Sequence, residues 1–433
     1  MMQPWFADAK LGIFIHWGIY AVDGVVESWS FFNGPLSYTD YMKQCDGFTA
    51  ANYDPSKWAD LFARAGARYA VLTTKHHDGV ALFDTKQSDL SVLKVTPAGQ
   101  DLIGPYVEAL RQQGLKVGLY FSHLDWSHPD YAPLPVGERT ETTLTEDTYA
   151  RCWPDGPEAT AAWQRYLQFH RAQLQELSTN YGAIDLFWFD GNWAPGDTAG
   201  KDWWRMAELR DRLREWQPGA ILNSRMNGYG DYETPEQAVP VTKPDGAWEF
   251  CVTMNDSWGY RGHDQNYKSV RQIVRMLAEC IGMGGNLLLD IGPMPDGTIP
   301  PEQVERLEGL GDWVGKHAEA IYGTRAGLPP GHWYGSSTLT QDQETLYLFQ
   351  FDRPWDEVAI KGIRNRIKRV SVIGSGTTLT HRKIGGAEWM NLPGVLWIAV
   401  PEAELDRNAT VLKIELDGPL SLYSGSGHAI ESN

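Results

Sequence analysis

The residues able to do chemistry close a series of short apolar runs. Residues 184–190 read Ile-Asp-Leu-Phe-Trp-Phe-Asp, and a carboxylate ending so apolar a strand is costly unless it is hydrogen-bonded or functional. Side chains alternate faces along a strand, so Leu186, Trp188 and Asp190 share one face and Phe187 and Phe189 the other. With the Phe pair against a helix layer, Asp190 points into a pocket above Trp188. The structural alternative is an Asp that caps a turn with Gly191. Other runs end in His16-Trp17-Gly18, His76-His77-Asp78-Gly79, Tyr120-Phe121-Ser122 and Asn223-Ser224-Arg225. His76 and His77 face opposite ways on an extended strand, whereas a terminus that bends away aims both at one ligand.

A metal on His16, His76 and His77 is a competing reading, but no H-x-H, H-E-x-x-H or carboxylate–histidine cluster accompanies them. A core histidine with its hydrogen bonds satisfied is the plainer account of either neighbour in the pair. The glycines of Gly282-Met283-Gly284-Gly285 precede a strand rather than follow one, the reverse of a dinucleotide-binding turn. Downstream of Arg225, residues 228–237 form a Gly-rich loop carrying Glu233 and Glu236. Such a loop can bring a second carboxylate over a pocket that already holds the first. Two carboxylates point to glycoside hydrolysis: one ionises to attack or to stabilise an oxocarbenium-like centre, and the other holds a proton for the departing oxygen. A solvated loop face accounts for at least one of the two glutamates.

The elements that must position these groups alternate. Strands are predicted over 11–17, 68–76, 116–122, 184–190, 220–225 and 286–292, and helices over 56–66, 102–114, 158–181, 202–216, 267–283 and 302–322. The longest helix sets Trp163, Tyr166, Leu167, His170, Leu174, Leu177 and Tyr181 at steps of three and four, an apolar stripe that reads as core. In parallel β/α proteins, sites gather at the C-terminal strand ends. Polar and aromatic groups recurring there predict an α/β fold, an irregular (β/α)8 barrel, with a doubly wound open sheet as the fallback. After Leu328-Pro329-Pro330 the pattern changes to short strands over 345–351, 357–361, 367–373, 395–400 and 411–416, separated by turn residues. The expected organisation is a catalytic barrel over 1–328 and a C-terminal antiparallel β-sandwich over 333–433.

Composition narrows the function. A formal net charge of −17 repels phosphates, so neither nucleic acid nor an anionic membrane is expected as a partner. Apolar runs fall far short of the roughly 20 residues a membrane helix needs. The first residues have neither a basic nor an apolar leader region, which favours the cytoplasm unless a leader was removed. Cys45, Cys152, Cys251 and Cys280 form no C-x-x-C pair and read as buried free thiols. Nineteen Trp suit a protein that stacks aromatic faces on sugars as well as filling a core.

The motifs also carry a resemblance. Residues 6–18 (Phe-Ala-Asp-Ala-Lys-Leu-Gly-Ile-Phe-Ile-His-Trp-Gly), Thr74-Lys75-His76-His77-Asp78-Gly79, Trp188-Phe189-Asp190-Gly191, Trp248-Glu249, Asn255-Asp256-Ser257-Trp258-Gly259-Tyr260 and residues 284–293 follow in the order seen in glycoside hydrolase family 29. The chain resembles that family, the α-L-fucosidases, from Trp5 to about Gly323. The resemblance implies Asp190 as nucleophile, Trp188 as pocket tryptophan, His16, His76, His77 and Tyr120 as partners of fucose hydroxyls, and Arg225 in the same pocket. It implies Glu27 and Trp29 at the rim, with Ser28 between them where the family often has the pair adjacent. Glu236 lies where several members place the acid/base, and Glu233 stays open beside it. On this reading Asp190, among imidazole and guanidinium groups, keeps a low pKa. The substrate is a fucosylated oligosaccharide or glycoconjugate cleaved exo-wise with retention, no cofactor is required, and the oligomeric state is open. A non-catalytic fucose-binding homologue and a related glycosidase of other specificity are the alternatives.

Overall fold

Strands of β-branched and aromatic residues, buried along nearly their whole length, pair side by side and all in parallel. In chain order they are β1 (Leu11–Ile15), β2 (Tyr69–Lys75), β3 (Lys116–Ser122), β4 (Leu186–Asp190), β5 (Ile221–Leu222), β6 (Glu249–Thr253) and β7 (Asn286–Ile291). Their order in the sheet is β5-β4-β3-β2-β1-β7-β6. The computed structural model describes residues 2–32, 34–131, 157–192, 202–354, 357–387, 389 and 392–425. Cys152 lies outside them, and Cys45, Cys251 and Cys280 are buried free thiols.

The gap between β5 and β6 is bridged by an extended segment. Tyr232 pairs with Asn223 beyond β5, while Glu233 and Glu236 pair with Trp248 and Cys251 beside β6, all in parallel sense. That segment stands as the eighth stave of an irregular (β/α)8 barrel. The sequence reading took it for a loop, because its Gly and Pro content hides two short contacts, and it missed β6 altogether.

Alternation along the strands divides the core in two. Phe14, Tyr69, Val71, Tyr120, Leu186, Trp188, Cys251 and Leu288 fill the barrel interior together with Phe6 and Tyr232. Phe187, Phe189, Leu119 and Phe121 face the helix layer instead, as period-two alternation requires. Gly12 makes room inside: a Cβ there would meet the Tyr69 ring at 2.4 Å. The helix Pro157–Asn180 lays Trp163, Tyr166, His170, Leu174 and Leu177, all buried, against the outer face. The helix Val270–Gly282 starts at a capping box in which Ser269 and Gln272 satisfy each other's backbone donors.

Beyond the helix Pro301–Ile321 the chain turns antiparallel. A five-stranded sheet begins with the short strand Arg325–Ala326, and a three-stranded sheet pairs Val358–Lys361, Val395–Ile398 and His381–Ile384. The two enclose a separate apolar core of Leu346, Leu348, Ile360, Val370, Leu396 and Ile414, giving a β-sandwich. It docks on the last barrel helix, where Trp313 donates its indole N–H to the Ala409 carbonyl at 3.0 Å.

Candidate active site

Asp190 ends β4 opposite Ser122 of β3. One of its oxygens accepts the Gly191 N–H at 2.8 Å, and the other accepts the Tyr120 hydroxyl at 3.1 Å. Gly191 has φ of 74°, and a Cβ there would meet Leu124 at 2.3 Å, so only glycine turns the chain back directly after this carboxylate. Trp188, two residues earlier on the same face, is stacked with Tyr120 at 5.7 Å between ring centres.

The histidines gather as the motifs imply. β2 stops at Lys75, so His76 and His77 escape strand alternation and their rings lie 4.2 Å apart. His76 Nδ1 bonds to Ser28 Oγ at 2.6 Å, and His16 Nδ1 to Asp290 Oδ1 at 2.7 Å. Ser122 donates its hydroxyl to the Leu124 carbonyl and therefore accepts from His77 Nδ1–H at 2.6 Å. That choice of tautomer leaves His77 Nε2 as an acceptor, 3.7 Å from Asp190 Oδ2. Among the described residues no group of three or more His, Cys, Asp or Glu converges to hold a metal ion.

β5 is only two residues long because a side chain takes over its ladder. Asn223 accepts the Phe189 N–H at 2.9 Å and donates to the Phe189 carbonyl at 2.8 Å, carrying the chain alongside β4 to Arg225. Arg225 then donates to Glu236 Oε2 at 3.0 Å. Glu236 and Glu233 are three residues apart on an extended segment, so they leave it on opposite sides. Glu236 lines the cavity with its side chain 39% exposed, whereas Glu233 does not line it.

These groups surround one cavity of about 150 Å³, lined by Phe14, His16, Glu27, Trp29, His76, Tyr120, Trp188, Asp190, Arg225, Glu236 and Trp258. His77, expected among the partners of fucose hydroxyls, does not line it; its Nε2 lies 3.7 Å from Asp190 Oδ2. Glu27 and Trp29 both reach the cavity despite the residue between them, since Ser28 turns away to His76. Glu27 is held by the Gly259 N–H at 2.7 Å. The sequence reading missed Phe14 and Trp258 as wall residues and Asp290 as the partner of His16, although each sits inside a motif it had singled out. Larger hollows of about 280 and 450 Å³ lie over outer helices and hold none of these groups.

The family model described as Alpha-L-fucosidase matches residues 1–319. The chain belongs to the α-L-fucosidase family. Tissue alpha-L-fucosidase of Mus musculus is 30% identical over 461 residues, which cover 97% of this chain and 92% of that protein. Alpha-L-fucosidase isoenzyme 1 from Paenibacillus thiaminolyticus aligns in structure with a TM-score of 0.83 and 35% identity, covering 95% of this chain and 98% of its own. A Bacteroides thetaiotaomicron α-L-fucosidase, solved as a trapped covalent intermediate with 2-fluoro-fucosyl fluoride, aligns with a TM-score of 0.82 and 26% identity over 95% of each chain. As a member of the α-L-fucosidase family, this chain is a glycoside hydrolase.

Burial sets the protonation of this fucosidase-family site. It pushes the Asp190 carboxyl up from the ordinary carboxylate value, against the pull of Arg225, the Gly191 N–H and Tyr120. The low pKa expected from the sequence is thus overturned, because desolvation outweighs the neighbouring charges. Its side chain is 26% exposed, so water at the mouth tempers the rise. Glu236 is raised by desolvation and then by the negative charge of Asp190, with Arg225 opposing, and its 39% exposed side chain lets water temper that rise. Desolvation lowers His16, His76 and His77, the last to about 3, which keeps the imidazoles neutral.

Proposed function

We propose that this chain is an exo-acting, retaining α-L-fucosidase that releases terminal α-L-fucose from fucosylated glycans or glycosides. The observation that carries the reading is that Asp190 and Glu236 open on the same small cavity as Arg225, with Glu236 bonded to the guanidinium and both carboxylates feeling its charge. A cavity of about 150 Å³ suits one sugar ring and not an internal stretch of chain. Phe14, Trp188 and Trp258 offer apolar faces to the C–H faces and methyl group of fucose, and His16, His76 and Tyr120 offer polar partners to its hydroxyls.

In the mechanism, an Asp190 carboxylate oxygen bonds to the anomeric carbon as the glycosidic bond breaks, and the departing oxygen takes the proton from Glu236. The Glu236 carboxylate then removes a proton from water as that water attacks the same carbon and Asp190 leaves. Two inversions give net retention. The like charge of Asp190 raises the proton affinity of Glu236 for the first step, and that charge is neutralised in the covalent ester, which lets Glu236 act as a base in the second.

Azide tests both assignments through stereochemistry. Asp190→Gly with azide should give the β-fucosyl azide by a single inversion. Glu236→Ala with an activated aryl α-fucoside should still load Asp190 and give the α-fucosyl azide. Fucose binding without turnover by the wild-type chain, or preferential cleavage of another aryl glycoside, would refute the reading.

A further inference from the structure

Behind Asp190 lies a hydrogen-bond chain that the catalytic reading leaves without a role. Arg171 NH1 lies 3.2 Å from His170 Nδ1, His170 Nε2 lies 3.0 Å from His123 Nδ1, and His123 Nε2 lies 3.1 Å from the backbone oxygen of Arg225. The direction of every bond is fixed by its two ends. A guanidinium only donates and a carbonyl only accepts, so His170 Nδ1 accepts, His170 Nε2–H donates to His123, and His123 Nε2–H donates to Arg225. Arg171, His170 and His123 are all buried, and the second arm of Arg171 is anchored on the Trp204 carbonyl.

His123 also touches the other side of the site. Its backbone N–H donates to the Asp190 carbonyl at 2.8 Å, its ring stacks on Phe189 at 4.6 Å and 11°, and its own carbonyl accepts the Tyr166 hydroxyl. One residue thus ties the strand end that carries the nucleophile to the segment that carries Arg225.

We infer that His123, oriented by His170 and Arg171, is a positioning residue for the reaction, holding Arg225 in register with Asp190 and Glu236. This rests on the reading of Asp190 and Glu236 as the catalytic pair. The relay needs both imidazoles neutral, since a second proton on either would set donor against donor, and burial keeps both well below the usual histidine range. The charged groups facing the relay are Arg171 and Lys75, and those facing the Arg225 guanidinium are Asp190 and Glu236.

The test is the pH profile of kcat/KM on an aryl α-L-fucoside. His123→Phe keeps the flat ring on Phe189 and the backbone bond to Asp190, but removes both ring nitrogens. A loosened Arg225 lowers both carboxyl pKa values less, so both limbs should move to higher pH by about half a unit or more, with kcat/KM down about 10- to 100-fold. His170→Phe should produce the same shift at one remove, and His170→Gln, whose amide can still donate to His123, should restore most of it. Loss of fold stability alone would lower the active fraction without moving either limb. If His123→Phe fails to fold, the His170 pair decides. Limbs that stay in place, or His170→Gln behaving like His170→Phe, overturn the inference. The catalytic reading is checked separately by Glu236→Gln, which must abolish the alkaline limb whatever the relay variants do.

Discussion

Trp188 donates its indole N–H to Glu249 Oε1 at 3.0 Å, and Tyr69 donates its hydroxyl to Glu249 Oε2 at 2.5 Å. The aromatic wall of the sugar pocket therefore stands on a carboxylate sealed inside the barrel. Burial pushes that carboxyl up to about 7, with the two donors pulling the other way. Glu249 touches neither the cavity nor Asp190 and Glu236 in this arrangement; it holds Trp188 in place.

Removing that donor should cost stability. Trp188→Phe leaves Glu249 Oε1 without a partner in a dry interior, a loss of about 1–3 kcal/mol. Denaturant unfolding of the variant at neutral pH measures it, and an unchanged midpoint would mean the bond contributes nothing net. kcat/KM should fall as well, because the same residue lines the cavity.

The titration of Glu249 gives a signed dependence on pH. Its folded pKa, about 7, lies above the ordinary 4.5, so between those values the folded state keeps a proton that the unfolded chain has released. The associated stability is complete below the unfolded pKa and is lost as pH rises through the folded one. Glu27, raised to about 7 by burial, acts in the same window and with the same sign. The stability difference between the parent and Glu249→Gln should therefore shift as pH rises from about 5 to about 7.5, to the disadvantage of the parent, a comparison that cancels Glu27 and the buried histidines, whose lowered pKa values act with the opposite sign. Parallel curves for the two proteins would show that Glu249 does not titrate there.

Glu236 and Glu233 should separate by leaving group. Glu236→Ala should slow fucosides with poor leaving groups by about 100-fold or more while sparing activated aryl fucosides. Glu233→Ala, off the cavity on the same segment, should behave like the parent. If the two variants exchange behaviour, the acid/base moves to Glu233 and the role of Asp190 is untouched.

Tyr120→Phe should act on one limb only. The hydroxyl holds the Asp190 carboxyl down while the ring stacks on Trp188 and His76. The variant keeps the ring and loses the hydrogen bond, so the acidic limb of kcat/KM should move to higher pH with the alkaline limb in place. An unmoved acidic limb would detach Tyr120 from the ionisation of Asp190.

What the sequence determined by itself was whatever depends on local period and neighbours. Alternation in residues 184–190 separated Phe187 and Phe189 from Trp188 and Asp190, and the structure keeps that separation because each pair packs in a different core. Spacing of three and four placed the stripe of the helix Pro157–Asn180 against the sheet. The ordered motifs carried the family, the barrel and the residues around its mouth.

Tertiary structure alone decided the rest, because it turns on distances between residues far apart in the chain and on the loss of water. Residues 232–237 look like a turn until Asn223 on one side and Trp248 and Cys251 on the other give them partners, and only that closure puts Glu236, and not Glu233, on the cavity. The charges next to Asp190 predict a low pKa, whereas desolvation, which no sequence displays, raises it. His170 reads as one more core residue in an apolar stripe. Its place beside His123, 47 positions earlier, exists only once the helix has packed on the barrel.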